Sequence, residues 1–456
     1  MKSLTLLLVS VCFLSMLPNL NNYQFRGEEA LRTIVAYEMD KGDNLFQPTF
    51  LGEPYYNKPP LFNWLILASS KVIPWSEMTA RSVTLTALLV SLLITFALAL
   101  KITSNVETSL LASLILISFS DVLFWYGYLA EIDMTLTAIN TLSVSLLLIG
   151  VRDDKPIMIY AAGIAIGFSF LLKGLPSYAF WFLSVLAVLV IYKPGRVTLR
   201  SIFIATFVSI IIPAVWLLNT QDPYAYAQTL FRETVAKVKG DSSPVSLIKH
   251  VVSYPLLNFK QLLPASLFVL VLFIKGKNTI TLNRDIKALT LIALLNYLPY
   301  LASVNAKGRY VLPLFPLLAV LFAFLLHNKE KFKKIFVATV LVLALLRLIF
   351  GFVGLPILER QRGPIKDTAY AISQLVKDSG KIACDCRSDE RKAVCLYLDF
   401  ITGEFIKSSR LTPNWRYLVS CDPINTNAGT EELLKAHIRK ENYVWLYLKR
   451  SQDQRR

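Results

Sequence analysis

Long apolar runs separated by short polar stretches dominate the chain. Most runs are roughly 17–22 residues, the length that crosses a hydrocarbon core as a helix. They read as spans at 4–20, 79–100, 107–127, 134–151, 156–172, 177–192, 200–218, 262–275, 287–303, 310–327 and 334–355. The pattern predicts an all-α polytopic membrane protein with about eleven to thirteen transmembrane helices. Lys2 precedes the first run and no small-x-small cleavage site follows it, so it reads as a retained span, with a signal peptide as the alternative. A further apolar stretch, 59–73, is short for a span and carries Asn63, Ser69 and Ser70. It reads as an interfacial or re-entrant helix, with Pro59 and Pro60 suited to its first turn.

The polar gaps set an orientation. With Lys2 inside, the inside segments are Lys101, 152–155, 193–200, 275–287 and 327–334, all short and basic. The outside segments are then 21–78, the turn at 131–133, 219–261 and everything after 355. Counting 59–73 as a span would invert every later loop. The long first loop and the C-terminal segment are therefore expected to be extracytoplasmic. Composition agrees: of 456 residues, 54% are hydrophobic and 17% charged, where a soluble domain has about 25% charged. Mean hydropathy is +0.50. The net charge is +17, and basic residues concentrate in short loops between apolar runs, so no nucleic-acid partner is expected.

Character changes near 356. Residues 1–355 form the expected membrane domain, with its first outer loop at 21–78. Residues 356–456 form a small C-terminal α/β extracytoplasmic domain, with strands expected at 393–400 and 443–447 and a helix at 367–377. Its positive charge would suit anionic lipid head groups or glycans, or simply a solvated cap on the bundle. Cys384, Cys386, Cys395 and Cys421 lie there, and Cys12 lies in the first run. Their spacing does not suggest zinc. Disulfides and reduced buried thiols both remain open.

Candidate chemistry concentrates on the outside. Glu28 and Arg32 are spaced i, i+4, one face of a helix, where they could orient a phosphate and an attacking group or form a plain surface pair. Glu131 and Asp133 lie in a very short turn close to membrane depth, where carboxylates are costly. They could accept a proton or bind a divalent cation, Mg2+ or Mn2+, or be solvated. Lys58, Lys173, Lys307 and Arg309 break the positive-inside rule on the same face, which suits an anionic head group such as phosphate; snorkelling to lipid phosphates is the alternative. No P-loop, Rossmann glycines, nucleophile elbow or Asp-x-Asp clamp occurs, and His250, His327 and His437 are scattered.

The run from Glu28 to Met39, then Gly42-Asp43, then Gly52-Glu-Pro-Tyr-Tyr-Asn-Lys-Pro-Pro-Leu61 resembles the first periplasmic loop of the aminoarabinose transferase and protein O-mannosyltransferase group. Glu131-Ile-Asp-Met134, Lys173-Gly174 and Arg309-Tyr-Val-Leu-Pro313 resemble later landmarks in the same order. The resemblance covers about 1–355. It implies a GT-C fold and a polyprenyl-phosphate sugar donor, undecaprenyl phosphate in a bacterium, with membrane lipids around the site. It also implies transfer to a lipid, glycan or protein acceptor, lipid A modification among the options, by an inverting single displacement. By the same resemblance Glu28 stands at the group's catalytic acidic position and Asp133 is the second acidic residue, each a candidate base for a hydroxyl acceptor. Lys58 contacts the donor phosphate, with Arg32, Lys173, Lys307, Arg309 and Tyr310 as further candidates. Glu29, Tyr55, Tyr56 and Asn57 complete the first-loop set. The chain departs from the pattern at Glu28, where the group usually has Asp, and at Asn57, often acidic. The alternatives are a transporter or flippase for a lipid-linked or anionic substrate and a non-catalytic scaffold.

Overall fold

A computed structural model describes residues 2–239, 243–275, 282–377, 381–424 and 429–450. In chain order the helices are α1 Lys2–Leu14, α2 Glu28–Lys41, α3 Leu61–Ser70, α4 Glu77–Thr103, α5 Val106–Ser118, α6 Ile132–Arg152, α7 Pro156–Lys173, α8 Pro176–Tyr192 and α9 Arg196–Leu218. They continue as α10 Pro223–Lys239, α11 Pro244–Gln261, α12 Ala265–Lys275, α13 Arg284–Ala302, α14 Phe315–Leu326, α15 Glu330–Ile349, α16 Leu355–Arg362, α17 Ile365–Leu375 and α18 Ala393–Thr402. The strands are β1 Thr49–Phe50, β2 Glu53–Pro54, β3 Ile382–Cys384, β4 Tyr417–Ser420, β5 Thr430–Arg439 and β6 Asn442–Lys449.

All eleven expected spans fall on helices. By length and composition six helices among the described residues can cross a membrane, or seven if the bent pair α11 and α12 counts as one. Shorter apolar helices include α1, α5 and α8. The chain is an integral, multi-pass membrane protein. Several expected spans are not simple rods: 4–20 is helical only to Leu14, 310–327 begins as a 3-10 helix and 334–355 ends in a π-turn. The run at 107–127 stops at Ser118 and resumes as a π-turn, Val122–Tyr126. Asp121, which interrupts the apolar run, takes a hydrogen bond from Gln261 at 2.5 Å. The run at 262–275 begins later, after a bend of 109° between α11 and α12. Pro264 lies in that bend and has no N–H to carry a helix through. The stretch at 59–73 forms the ten-residue α3.

The chain divides into two compact units. One holds Met1–Pro18, Tyr56–Leu61 and Thr84–Ile349; the other holds Asn19–Tyr55, Phe62–Val83 and Phe350–Arg456. The sequence places 21–78 with the membrane domain; by contacts, most of that loop groups with the C-terminal segment.

In the first unit α7 packs on α6 and α9. Gly163 and Gly167 make the α7–α9 approach possible. A Cβ at Gly163 would stand 2.3 Å from the Ala205 carbonyl oxygen, and one at Gly167 would stand 2.8 Å from that of Ser209. The loops expected inside meet at one end of this bundle. Arg152 donates to the Lys101 carbonyl at 3.0 Å and to Asp285 at 3.1 Å. Arg284 donates to the Tyr192 carbonyl at 2.7 Å, and Thr198 donates to Asp154 at 2.8 Å. Residues 276–281 of the expected 275–287 loop lie outside the described residues. Helix α6, with 21 residues and about 1.5 Å rise each, carries Asp133 roughly 30 Å away at its other end.

In the second unit α2 packs Leu31, Val35 and Met39 against Trp64 and Leu67 of α3. The turn between β1 and β2 places Leu51 and Gly52 at φ 53° and 77°, conformations costly for leucine. Buried Glu38 holds this turn. It accepts the Leu51 N–H at 2.6 Å, the Gly52 N–H at 3.1 Å and the Thr49 hydroxyl at 2.6 Å. The same turn is tied to the C-terminal segment, where the Ser408 N–H donates to the Leu51 carbonyl at 2.9 Å. Phe25 N–H donates to the Tyr397 hydroxyl at 3.1 Å, and the Tyr37 hydroxyl donates to the Asp399 carbonyl at 3.0 Å.

The C-terminal sheet has the order β3-β4-β6-β5, parallel between β3 and β4 and antiparallel elsewhere. Leu418 pairs with Tyr447 in a core with Ala383 and Trp445. The helix expected at 367–377 is α17, and the strand at 443–447 lies within β6. The strand expected at 393–400 is a helix instead, α18. Its residues 393–399 are buried on every side, so no polar face breaks the run and apparent alternation carries no signal. Gly403, at φ 73°, ends it as a left-handed cap. The four C-terminal cysteines form disulfides, Cys384–Cys395 and Cys386–Cys421, while Cys12 is a buried free thiol.

Candidate active site

The predicted residues fall into two clusters, one in each unit. In the bundle, Glu131 sits just before α6 and Asp133 in its first turn, where the helix dipole favours a carboxylate. Lys173, the last residue of α7, donates to Asp133 at 2.6 Å. Its ammonium lies 4.5 Å from the centre of the Tyr310 ring. Arg309, in the short helix Gly308–Leu314, donates to Glu131 at 2.7 Å and lies 3.5 Å from Asp133. All four charged side chains are less than a fifth exposed.

Two carboxylates are thus matched by two cations. Breaking such a buried set by removing one member costs more than the set gains over apolar packing. It also bears on the divalent cation expected at Glu131 and Asp133. Mg2+ or Mn2+ needs about six oxygens and uncompensated negative charge, and these carboxylates already carry protein cations. The donor set does not fit the ion. Among the described residues, the three-ligand group that lies close enough for a metal is Cys384, Cys386 and Cys395, and disulfides occupy it.

Lys58 belongs to the same bundle. It donates to Glu233 of α10 at 3.1 Å and to the Asn57 carbonyl at 2.8 Å. The Tyr226 hydroxyl fixes the backbone here, donating to the Lys58 carbonyl at 2.6 Å, and Tyr56 meets the Tyr226 ring edge-on at 5.1 Å. The Pro59-Pro60 pair stiffens the chain that follows. Lys58, Lys173, Glu233, Tyr300, Ser303 and Tyr310 line a cavity of about 150 Å3, with Asn57 at its wall. Lys307 stands apart: its side chain is exposed and does not line that cavity. A second cavity, about 420 Å3, is walled by side chains such as Phe259, Leu262, Val269 and Phe315 and has no Asp, Glu, His, Lys or Arg in its lining.

The second cluster forms on α2. Arg32 donates to Glu28 at 3.3 Å and to the Tyr55 hydroxyl at 3.0 Å, and Asn63 donates to the Arg32 carbonyl at 2.7 Å. The i, i+4 spacing is realised as an ion pair with a buried guanidinium: Arg32 is 7% exposed and Glu28 is 36% exposed. Glu29, one residue on, does something else. It forms a fully buried pair with Arg81, both carboxylate oxygens 2.9 Å from the guanidinium. Arg81 also donates to the carbonyls of Leu20, Tyr23 and Gln24. Glu29 is therefore a structural anchor for the entry into α2.

Three partners escape the sequence reading: Glu233, Arg81 and Lys392, the last 3.9 Å from Glu28. Glu233 and Lys392 occupy charged stretches without a pattern. Arg81 stands in the first turns of an apolar helix, and a lone charge there was the available signal.

The sequence model of the dolichyl-phosphate-mannose-protein mannosyltransferase family matches residues 34–228. An undecaprenyl phosphate-α-4-amino-4-deoxy-L-arabinose arabinosyl transferase of Pseudomonas savastanoi pv. phaseolicola is 25% identical over 214 residues, 46% of this chain and 40% of that protein. The enzyme of the same name from Pseudomonas aeruginosa strain UCBPP-PA14 is 28% identical over 189 residues, 41% of this chain and 34% of its own. These matches span less than half the length of the relatives. The fold match is end to end. The crystal structure of ArnT from Cupriavidus metallidurans bound to undecaprenyl phosphate superposes with a TM-score of 0.76 at 14% identity, covering 97% of each chain. Its apo state gives 0.71 at 13% identity. The chain thus has the fold of ArnT from end to end, and its sequence is similar to the mannosyltransferase family model and to these two aminoarabinose transferases over less than half of its length.

Proposed function

We propose that this protein transfers a sugar from a polyprenyl-phosphate donor to a lipid, glycan or protein acceptor on the periplasmic face of a bacterial inner membrane. The observation that carries the reading is the pair of ammonium groups, Lys58 and Lys173, lining one small cavity of the bundle with Tyr310. The relatives named for undecaprenyl phosphate-aminoarabinose make that donor the first to try. The two C-terminal disulfides suit an oxidising compartment. The transporter alternative gains no support from the sequence relatives, which are named as arabinosyl transferases.

The chemistry follows from the leaving group. A polyprenyl phosphate departs as a stable anion, so no general acid is needed; fixed cations must meet the charge that develops on its oxygen. Lys58 and Lys173 supply it, the incoming phosphate taking the place of Glu233 beside Lys58. Asp133 is committed to Lys173 and Arg309, so its role is to aim the ammonium. The acceptor oxygen displaces the phosphate at the anomeric carbon with inversion. Where the acceptor is a hydroxyl, its proton needs a base, and Glu28, the more exposed carboxylate, is the candidate, whereas an ionised phosphate acceptor needs none. The 420 Å3 apolar cavity has the character required for a prenyl segment.

The test is incubation of the purified protein with radiolabelled undecaprenyl phosphate-4-amino-4-deoxy-L-arabinose, and with other labelled polyprenyl-phosphate sugars, in the presence of a membrane extract. A labelled product that requires the protein is expected. Absence of product with every donor would reject the transferase reading.

A further inference from the structure

The C-terminal segment reaches the candidate catalytic carboxylate. We propose that Lys392 is a positioning residue for Glu28, a role that rests on the transferase reading above and extends it. The ammonium of Lys392 lies 3.9 Å from Glu28 Oε1, while Arg32 Nη2 lies 3.3 Å from Oε2. Each carboxylate oxygen therefore has its own cation. At 3.9 Å the lysine contact is electrostatic rather than a hydrogen bond. Two charges on different sides fix the plane of the carboxylate, which one cation alone leaves free to turn.

The burial pattern shows a direction. Lys392 is 9% exposed and Glu28 36%, so the cation supports the carboxylate from the protein side and the carboxylate keeps an open side. Lys392 immediately precedes α18, where the helix dipole disfavours a positive charge. Burying an ammonium is costly without a partner, and Glu28 is the carboxylate in ion-pair range.

The surrounding structure holds this awkward residue in place. Cys384–Cys395 closes the eleven-residue separation that contains it, and Cys386–Cys421 ties the same stretch to the end of β4. Its neighbour Arg391 donates to the Cys421 carbonyl at 2.7 Å and to the Tyr443 carbonyl at 3.0 Å. Asp389 caps the turn, accepting the Arg391 N–H at 2.8 Å. A merely solvated cap on the bundle would need none of this around one lysine.

The test is a double-mutant cycle in the full chain, with undecaprenyl phosphate-4-amino-4-deoxy-L-arabinose as donor and a membrane extract as acceptor. Lys392→Met should lower kcat about tenfold, the order of coupling between charges in contact, with donor KM unchanged. Lys392→Arg should recover most of the rate. In a Glu28→Gln background Lys392→Met should change nothing further. Equal effects with and without Glu28, or a loss confined to KM, would overturn the role. A fully active Glu28→Gln protein would instead sink the reading of Glu28 itself. If Lys392→Met does not fold, Lys392→Gln, which keeps the polar stem, completes the same cycle.

Discussion

The two units solve the same electrostatic problem in opposite ways. In the bundle, Glu131 and Asp133 are each matched to a cation and almost closed off, so the carboxylates serve to hold Lys173 and Arg309. In the loop and C-terminal unit the buried members of the cluster are the cations, Arg32 and Lys392, and the carboxylate of Glu28 is the exposed one. The first arrangement closes its acids off among an equal number of cations; the second leaves its one acid half open between two cations. Neighbouring acids therefore differ in role: Glu28 is open, whereas Glu29 is sealed against Arg81 at no exposure.

That contrast can be broken at several points. The largest effect is expected from Arg81→Ala. It leaves Glu29 buried and unpaired, which costs about 3–5 kcal/mol; the protein should melt well below wild type in detergent and become protease-sensitive. Arg81→Ala with wild-type melting would mean that Glu29 is not an anchor. Next comes Lys58→Ala, expected to lower turnover about 10²–10³-fold. Its melting curve should stay near wild type, because the side chain pairs with Glu233 at a partly open cavity. Glu233→Gln removes the competitor for Lys58 and should tighten donor binding, by about 1 kcal/mol or less as for a partly exposed pair, read by titration with undecaprenyl phosphate. The smallest effect concerns Glu38. Burial pushes its carboxyl up from 4.5 to about 7, against three hydrogen bonds that favour the charged form. A carboxyl raised on folding contributes stability that is fully present below about pH 4.5 and is lost as pH rises through about 7. Melting temperature should therefore fall modestly from pH 5 to pH 8, and Glu38→Gln should flatten that slope while lowering stability throughout.

Much of the bundle was legible in the sequence because the bilayer imposes one length and one composition on every span. The short α3 was legible for the same reason, being too short and too polar to cross. The Tyr-Tyr-Asn-Lys-Pro-Pro run singled out Lys58, and charges against the positive-inside rule singled out Lys173 and Arg309. Ion-pair partners were not legible where the chain returns from far away. Glu29 and Arg81 are 52 residues apart, and Lys58 and Glu233 are 175 apart. The sequence also could not show that the first loop and the C-terminal segment build one unit, since that depends on contacts such as Glu38 and Ser408 gripping the same turn. Helix α18 was misread because complete burial erases the periodicity that distinguishes a helix from a strand.

The central claim is that the half-exposed carboxylate of Glu28, rather than the buried carboxylate of Asp133, works on a hydroxyl nucleophile. The direct measurement is steady-state transfer by Glu28→Gln and Asp133→Asn, each with donor KM and kcat resolved. Glu28→Gln should lose about 10²-fold or more in kcat with donor KM unchanged. Asp133→Asn should act mainly by releasing Lys173, raising donor KM. Near-normal kcat in Glu28→Gln, together with a collapse of kcat at constant KM in Asp133→Asn, would contradict the account and move the base to Asp133.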